Sequence, residues 1–186
     1  MIILTRIYFF AFDVPNSDEK IPATIYSTLT KEDFNRADNI DFENVIDAFE
    51  TMKATANPNI ADTANAIVLN LLLAYDVSKN IKLLKTAEIL NNWEIKNAKY
   101  DDENISKINT YQIIKRTRSF TEQEIINLCA IVDETDRHEI KFCVYSLLEN
   151  YQSAKVYFNK LSENEQMLMR EEPIYYFFEE MEKNNG

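Results

Sequence analysis

Apolar positions recur at helical spacing along most of the chain. The first clear stripe follows the i, i+3, i+4, i+7 and i+10 pattern of one helix face. It consists of Phe42, Val45, Ile46, Phe49 and Met52. Pro58 follows, and because a proline disfavours helical backbone in the residue before it, this helix should end at Asn57.

The same spacing predicts helices along the rest of the chain. Their ranges are 60–77, 81–99, 103–118, 136–149 and 151–161. Residues 60–77 are apolar nearly all round, so we expect this helix to be central. Two capping boxes, Thr121 to Glu124 and Ser162 to Glu165, predict further helix starts, and Pro173 suits the first turn of a last helix.

Three local features of these helices can be checked against a structure. The helix after Thr121 should bury a stripe of Ile125, Leu128, Cys129 and Val132. Asparagine is the second choice for a left-handed helix end, and it stands at the expected ends 57, 80, 92 and 150. Because residues 175–178 are all aromatic and span most of a helical turn, at least one should be exposed or meet another chain.

The first forty residues carry a less legible pattern. Residues 2–12 are β-branched and aromatic, and we favour a buried helix over a lone strand because such a strand has no evident pairing partner. Pro15 and Pro22 bracket a loop, and residues 25–38 suit one or two short helices. The apolar start is interpreted as core rather than as a signal peptide, because Arg6 interrupts it and no basic leader precedes it.

Composition changes this picture mainly through glycine. The only glycine among the 186 residues is Gly186, whereas an average soluble chain has about 7%. Phosphate-binding loops rely on glycine, so dinucleotide fingerprints and P-loops are excluded. Tight hairpins usually need glycine as well, which disfavours a hairpin-rich β fold. We therefore predict an all-α protein of antiparallel helix hairpins, stacked as an α-solenoid or closed as a compact helical bundle.

The length and the 46% of hydrophobic residues suit a single helical domain over residues 1–186. Its hairpins should cover residues 41–182, with a frayed tail at 183–186. No apolar run reaches the roughly 18 residues of a membrane helix. Two scattered cysteines, Cys129 and Cys143, are too few for a disulfide framework and suit a reducing cytoplasm.

One stretch has the spacing of a known helical repeat. Within residues 138–161, Tyr145 lies on the first helix, Tyr151 opens the second, and Ala154 and Phe158 occupy the small and aromatic positions. The stretch resembles a degenerate tetratricopeptide repeat, although Phe142 stands where glycine is usual and the closing proline is absent. The resemblance implies a family of helical arrays that mostly bind peptides or partner proteins.

Charge divides the chain into three blocks. Residues 1–78 carry 5 basic and 12 acidic groups, residues 79–118 carry 9 and 5, and residues 119–186 carry 6 and 14, for a total of −11. The basic centre contains Lys79, Lys82, Lys85, Lys96, Lys99, Lys115, Arg116 and Arg118. It can be ordinary cation placement near helix C-termini or a strip for an acidic peptide, a C-terminal carboxylate or an acidic partner.

Other candidate chemistry is weak. His138 and Cys143 lie about 140° apart around one helix, so they cannot form a nucleophile–base pair. Acidic pairs such as Glu171 and Glu172 do not converge within a helix. We predict no enzymatic activity, no metal and no cofactor.

The leading hypothesis is a protein- or peptide-binding helical module. Asn65 and Asn70, or the basic residues Lys82, Lys115, Arg116 and Arg118, would hold polar ends of the ligand. Nucleic acid is an unfavoured partner because the net charge repels phosphate. The terminal aromatic segments suggest a homodimer. Alternatives are an acidic inhibitor of viral or plasmid origin that mimics nucleic acid, and the sensor half of a helical-repeat regulator.

Overall fold

The computed structural model describes residues 60–97 and 104–185. The chain divides into two compact units, Met1–Asp101 and Asp102–Gly186, and each is treated by itself. Every regular element in the described ranges is an α-helix, which confirms the all-α prediction. The single domain expected from the sequence stays a prediction. The predictions for residues 1–40 and the predicted helix of residues 42–52 lie outside the described residues.

The first unit contains a helix hairpin. Helix α1 (Ile60–Ser78) and helix α2 (Ile81–Asn97) pack side by side and are joined by two residues. The two helices have fully buried apolar side chains, which are Ala64, Ile67, Val68, Leu71, Leu72, Ala74, Leu83, Leu84, Ala87 and Leu90. A connection this short requires the two helices to run antiparallel.

The turn between α1 and α2 corrects one prediction. Lys79, and not Asn80, takes the left-handed conformation with a φ of 56°, and its N–H donates to the Tyr75 carbonyl at 2.7 Å. The Asn80 side chain instead accepts from the Lys82 N–H at 3.0 Å, at the start of α2. Asparagine here serves as an N-cap, the role that its short acceptor side chain suits best.

The second unit contains six helices. In chain order they are α3 (Asn104–Thr117), α4 (Glu122–Glu134), α5 (His138–Leu147), α6 (Tyr151–Phe158), α7 (Glu163–Met169) and α8 (Tyr175–Asn185). Helix α5 contacts α3, α4, α6 and α8, so it lies at the centre of the unit. Helix α8 continues to Asn185, so helical backbone extends into the tail that was expected to fray.

Both predicted capping boxes are confirmed. Thr121 Oγ1 accepts from the Glu124 N–H, and Glu124 Oε2 accepts from the Thr121 N–H at 2.8 Å. Ser162 and Glu165 repeat the arrangement at the start of α7. Each box satisfies two backbone N–H groups that a helix start leaves open.

The turn between α5 and α6 is closed by a Schellman motif. The Asn150 N–H donates to the Tyr145 carbonyl at 3.0 Å, and the Glu149 N–H donates to the Ser146 carbonyl at 3.3 Å. Glu149, and not Asn150, takes the left-handed φ of 57°. The Asn150 side chain then caps α6 by accepting from the Ser153 N–H at 3.1 Å. The expected asparagine ends at 80 and 150 are thus wrong by one residue, and Asn92 lies inside α2.

An aromatic cluster fills the core where α5, α6 and α8 meet. The Phe142 ring lies 5.2 Å from Phe158, 5.3 Å from Phe178 and 6.4 Å from Tyr175, measured between centroids. Phe142 is fully buried, and so is Ala154, where α6 crosses α5. The position where the repeat family usually has glycine therefore supplies the central ring of this core.

Helix α4 buries a different stripe from the one predicted. Leu128, Ile131 and Val132 are buried, whereas Cys129 is exposed and Ile125 is 41% exposed. The stripe of Ile125, Leu128, Cys129 and Val132 is therefore wrong in two of its four members. Both stripes obey helical spacing, and the buried one is the one that faces α5.

Two further features concern the surface of the described helices. Tyr176 is 39% exposed, which confirms that one residue of the terminal aromatic run is exposed. The homodimer that this run suggested stays a prediction. Among the helices in the described ranges, none is long and apolar enough to cross a membrane.

Candidate functional site

The predicted ligand-binding residues of the first unit lie in its hairpin. Asn65 is only 5% exposed on α1, so a ligand has little access to its amide. The Asn70 side chain is half-buried and donates to the Ala66 carbonyl of its own helix at 2.9 Å. Lys82 is exposed in the first turn of α2. Of these three side chains, Lys82 has the access that a ligand needs.

The three predicted cations of the second unit hold internal contacts. Lys115 Nζ lies 2.7 Å from Glu149 Oε1, which connects α3 to the turn after α5. Arg118 donates to both carboxylate oxygens of Glu124, at 2.7 and 2.8 Å. Bidentate arginine–carboxylate pairs of this kind have defined geometry. These contacts agree with cation placement that supports the fold.

Arg116 connects two helices of the second unit. Its Nη1 donates to the Gln112 carbonyl in the last turn of α3, and its Nη2 donates to the Pro173 carbonyl before α8, both at 3.0 Å. Its guanidinium carbon lies 4.7 Å from the centroid of the Phe177 ring. The half-buried guanidinium is therefore committed to the α3–α8 contact, as a cation at a helix C-terminus often is.

A second group of cations surrounds a tyrosine on the α5–α6 hairpin. Lys160 Nζ lies 4.6 Å and Lys141 Nζ 5.6 Å from the centroid of the Tyr157 ring. The Tyr145 ring stacks on Tyr157, with centroids 5.5 Å apart and planes at 10° to each other. The centroid of the His138 ring lies 5.9 Å from that of Tyr157. We call these five residues the lysine–tyrosine face.

The lysine–tyrosine face is built by helical spacing and one turn. His138, Lys141 and Tyr145 follow the i, i+3, i+7 pattern of one face of α5. Tyr157 belongs to the last turn of α6, and the Lys160 N–H donates to the Tyr157 carbonyl at 3.2 Å in the turn that follows. His138 and Lys160 are exposed, and the other three side chains are half-buried.

The two lysines of this face differ from the predicted cations Lys115 and Arg118 in their ion pairing. Within residues 104–185, neither Lys141 nor Lys160 forms an ion pair, whereas Lys115 and Arg118 both do. The cation–π contacts orient the two ammonium groups, yet a ring face satisfies an ammonium only in part. Both lysines can therefore accept an anion without breaking an internal ion pair.

The Tyr145 side chain lies where burial and neighbouring groups disfavour its ionised form. Burial raises the pKa of the Tyr145 hydroxyl, and the nearby Tyr157 raises it further. Smaller contributions come from Cys129 and Asp133, which places these α4 side chains within electrostatic range of Tyr145. Ile126, one turn from Cys129 on the same side of α4, is 59% exposed.

The sequence contains a signal for this face that the charge blocks do not show. Lys141 and Lys160 lie in the acidic last block, and 19 residues separate them in the chain. Their shared contact with Tyr157 arises only when α5 and α6 fold back on each other. The part of this face that the sequence alone could predict is the helical spacing of His138, Lys141 and Tyr145.

The described residues offer little support for metal binding or nucleophilic catalysis. In the described ranges, no group of three or more histidine, cysteine, aspartate or glutamate side chains could hold a metal ion. Burial raises the pKa of the Cys143 thiol, which disfavours the thiolate that nucleophilic chemistry needs. Comparison of the chain with protein-family models, curated proteins and solved structures finds no match. The resemblance to tetratricopeptide repeats thus stays a prediction.

Proposed function

We propose that this protein is a non-enzymatic, cytoplasmic helical module that binds a peptide or a partner protein through the lysine–tyrosine face. The observation that carries the proposal is the pair of lysines around Tyr157, since neither has an ion pair in the second unit. An accessible cation pair beside stacked aromatic rings offers a ligand both charge and apolar contact area.

The scaffold beneath the face supports this proposal. The Schellman motif and the Asn150 cap define the α5–α6 turn, so Lys141 and Tyr145 are held at a set position relative to Tyr157. The buried contact of Phe142 with Phe158 also holds α5 and α6 together. A preorganised face loses little conformational entropy on binding, which favours affinity.

The free thiols support the cytoplasmic setting. Cys129 is exposed and Cys143 is buried, and neither takes part in a disulfide. Reduced thiols are typical of a compartment in which glutathione and thioredoxin keep cysteines reduced.

The test compares capture by two variants of equal charge. Lys141→Gln with Lys160→Gln removes both cations of the lysine–tyrosine face. Lys155→Gln with Arg170→Gln removes two exposed cations that also lie over rings, Tyr151 and Phe158, and form no ion pair in the second unit. We expect proteins captured from the native lysate by the wild type to be lost with the first variant and retained with the second.

Circular dichroism of both double variants should match the wild type, because all four side chains lie outside the apolar core. Equal capture by the wild type and the Lys141→Gln, Lys160→Gln variant would contradict the proposal. Charge reversal at Arg116 and Arg118 is a poorer test, since it breaks the contacts to Pro173 and Glu124 and disturbs the fold itself.

A further inference from the structure

We infer that the partner bound at the lysine–tyrosine face is a second copy of this chain, which covers the face with the outer surface of its helix α4. This inference rests on the proposed function and names the partner for it. It follows from an exposed stripe on α4, from the charges of that stripe and from its position beside the lysine–tyrosine face.

Helix α4 exposes a second stripe on the side away from its buried one. Glu122, Ile126, Cys129, Ala130 and Asp133 follow the i, i+4, i+7, i+8 and i+11 spacing of one helix face. All five side chains are exposed, and Ile126 is 59% exposed. We call these five residues the α4 stripe. Its apolar centre with an acid at each end has the composition of a small protein interface, in which polar residues surround an apolar core.

The charges of the α4 stripe are complementary to those of the lysine–tyrosine face. Within residues 104–185, neither Glu122 nor Asp133 forms an ion pair, and the same holds for Lys141 and Lys160. The α4 stripe thus offers two available carboxylates around an apolar centre, and the face offers two available ammonium groups around a ring. Surfaces of opposite charge favour association with the correct partner and in one register.

The position of the two surfaces selects a second copy over an unrelated acidic protein. Helices α4 and α5 pack against each other, and Cys129 and Asp133 lie within electrostatic range of Tyr145, so the two surfaces are neighbours on one unit. A two-fold dimer requires a patch that is complementary to itself. Neighbouring surfaces of opposite charge meet this requirement, because a two-fold axis between them places the α4 stripe of each copy on the lysine–tyrosine face of the other.

The net charge of −11 opposes self-association, but mostly from a distance. At physiological ionic strength, exposed charges farther apart than about 8 Å are largely screened. Lysine–carboxylate pairs across the contact are closer together than this, so they keep their attraction.

The test exchanges charges between the two surfaces of the full chain. The lysine-reversed variant carries Lys141→Glu and Lys160→Glu, and the acid-reversed variant carries Glu122→Lys and Asp133→Lys. Light scattering should give the wild type twice the mass of a single chain, and each variant alone the mass of a single chain. An equal mixture of the two variants should regain the doubled mass, because each acidic surface then faces a basic one.

Two further measurements accompany the masses. Lys155→Glu with Arg170→Glu changes the net charge as much as the lysine-reversed variant does but alters neither surface, so this control should stay dimeric. Cys129 lies in the α4 stripe, so its alkylation by iodoacetamide should slow as the wild-type chain dimerises.

Several outcomes would overturn the inference. One is a wild type with the mass of a single chain at every concentration, and another is a mixture of the two variants that stays monomeric. A dimer that both variants retain and that Tyr176→Asp abolishes would place the contact on α8 instead. If a different protein captured from the lysate needs Lys141 and Lys160 while the wild type is monomeric, the inference fails and the proposed function stands.

Discussion

Single side chains of the second unit carry effects that pH can reveal, and Glu124 is the clearest. Its carboxylate accepts two bonds from Arg118 and one from the Thr121 N–H. The Arg118 hydrogen bonds and, to a smaller extent, the bond from the Thr121 backbone together lower the pKa of Glu124 to about 2. These bonds are therefore strongest while Glu124 is ionised.

We expect Glu124→Gln to lower the urea midpoint at pH 7. Because the folded pKa lies below the unfolded value of 4.5, the stabilisation by Glu124 is complete above pH 4.5 and is lost as pH falls towards 2. Urea titrations from pH 2 to 7 should show the wild-type and variant midpoints converging at the acidic end. Midpoints that stay equally far apart at pH 2 would contradict this account.

Glu172 should behave in the opposite way. It lies in the turn before α8, where burial, aided by the neighbouring Glu171, raises the pKa of its carboxyl to about 7. A carboxyl whose pKa rises on folding destabilises the folded state once it ionises, so stability should fall as pH rises from 4.5 through 7. Glu172→Gln should raise the melting temperature at pH 8 and leave it nearly unchanged at pH 4.

The control for Glu172 is Glu163→Gln. Glu163 is an exposed carboxylate in the first turn of α7, where negative charge is favourable. Its replacement should slightly lower the melting temperature at pH 8. A Glu172→Gln variant that melts below the wild type at pH 8 would show that the ionised carboxylate is stabilising.

At the scale of elements, the glycine-free chain reversals have a measurable cost. Lys79 adopts a left-handed φ of 56°, which side chains with a Cβ disfavour by roughly 1–2 kcal/mol. Glycine removes that cost but adds entropy to the unfolded chain. We expect Lys79→Gly to stabilise the protein by about 0.5–1 kcal/mol in urea titrations.

The matched control is Lys85→Gly, in the middle of α2. Lys85 is exposed like Lys79 but lies in regular helix, where glycine costs about 1 kcal/mol relative to alanine. If Lys79→Gly raises the free energy of unfolding and Lys85→Gly lowers it, the backbone conformation at each position sets the effect. A loss of stability in both would assign a larger role to the Lys79 contacts with Asp76 and Tyr75.

The aromatic cluster should dominate the packing of α5, α6 and α8. Phe142→Ala removes the ring that contacts Phe158, Tyr175 and Phe178, which should cost about 3–5 kcal/mol. Tyr176→Ala, at the exposed position of α8, should change stability by less than about 0.5 kcal/mol. Differential scanning calorimetry of both variants would compare them. Similar losses would argue against a central role for Phe142.

Much of the element structure could be predicted because its causes are local. The buried stripe of α5 follows from helical spacing at Ile140, Cys143, Val144 and Leu147, all of which are buried. The capping boxes at Thr121 and Ser162 involve residues three apart in the chain. Interactions between residues so close in the chain can be predicted from the sequence without knowing which helices pack together.

The remaining features depend on which surfaces meet. Helix α4 has two apolar stripes of similar quality, and contact with α5 decides that Ile131 is buried and Cys129 exposed. The lysine–tyrosine face likewise needs α6 beside α5 before Lys141 and Lys160 share a ring. The left-handed residues are not the predicted asparagines, because asparagine is favourable at both ends of a helix. At positions 80 and 150 its side chain caps the start of the next helix instead.

At the scale of the whole molecule, the second unit has a core of its own. Four of its helices contact α5, and its buried apolar side chains come from α3 to α8. We expect a chain of residues 102–186 to fold by itself, with a stability of roughly 4–13 kcal/mol for its size.

Circular dichroism should show a helical spectrum and a cooperative melt for residues 102–186. Adding Phe142→Ala to this chain should strongly lower its melting temperature, since a loss of about 3–5 kcal/mol is a large part of the stability of so small a unit. A broad, non-cooperative melt of the unmodified 102–186 chain would show that its core depends on the rest of the protein.

The contrast between the two cysteines has a practical consequence. Cys129 is exposed on α4, within electrostatic range of Tyr145 of the lysine–tyrosine face, whereas Cys143 is buried and its thiol pKa is raised. A maleimide dye or a spin label should therefore attach to Cys129 alone in the native protein, with no engineered thiol. Its emission or line shape would then report occupancy of the neighbouring surface in the wild-type chain.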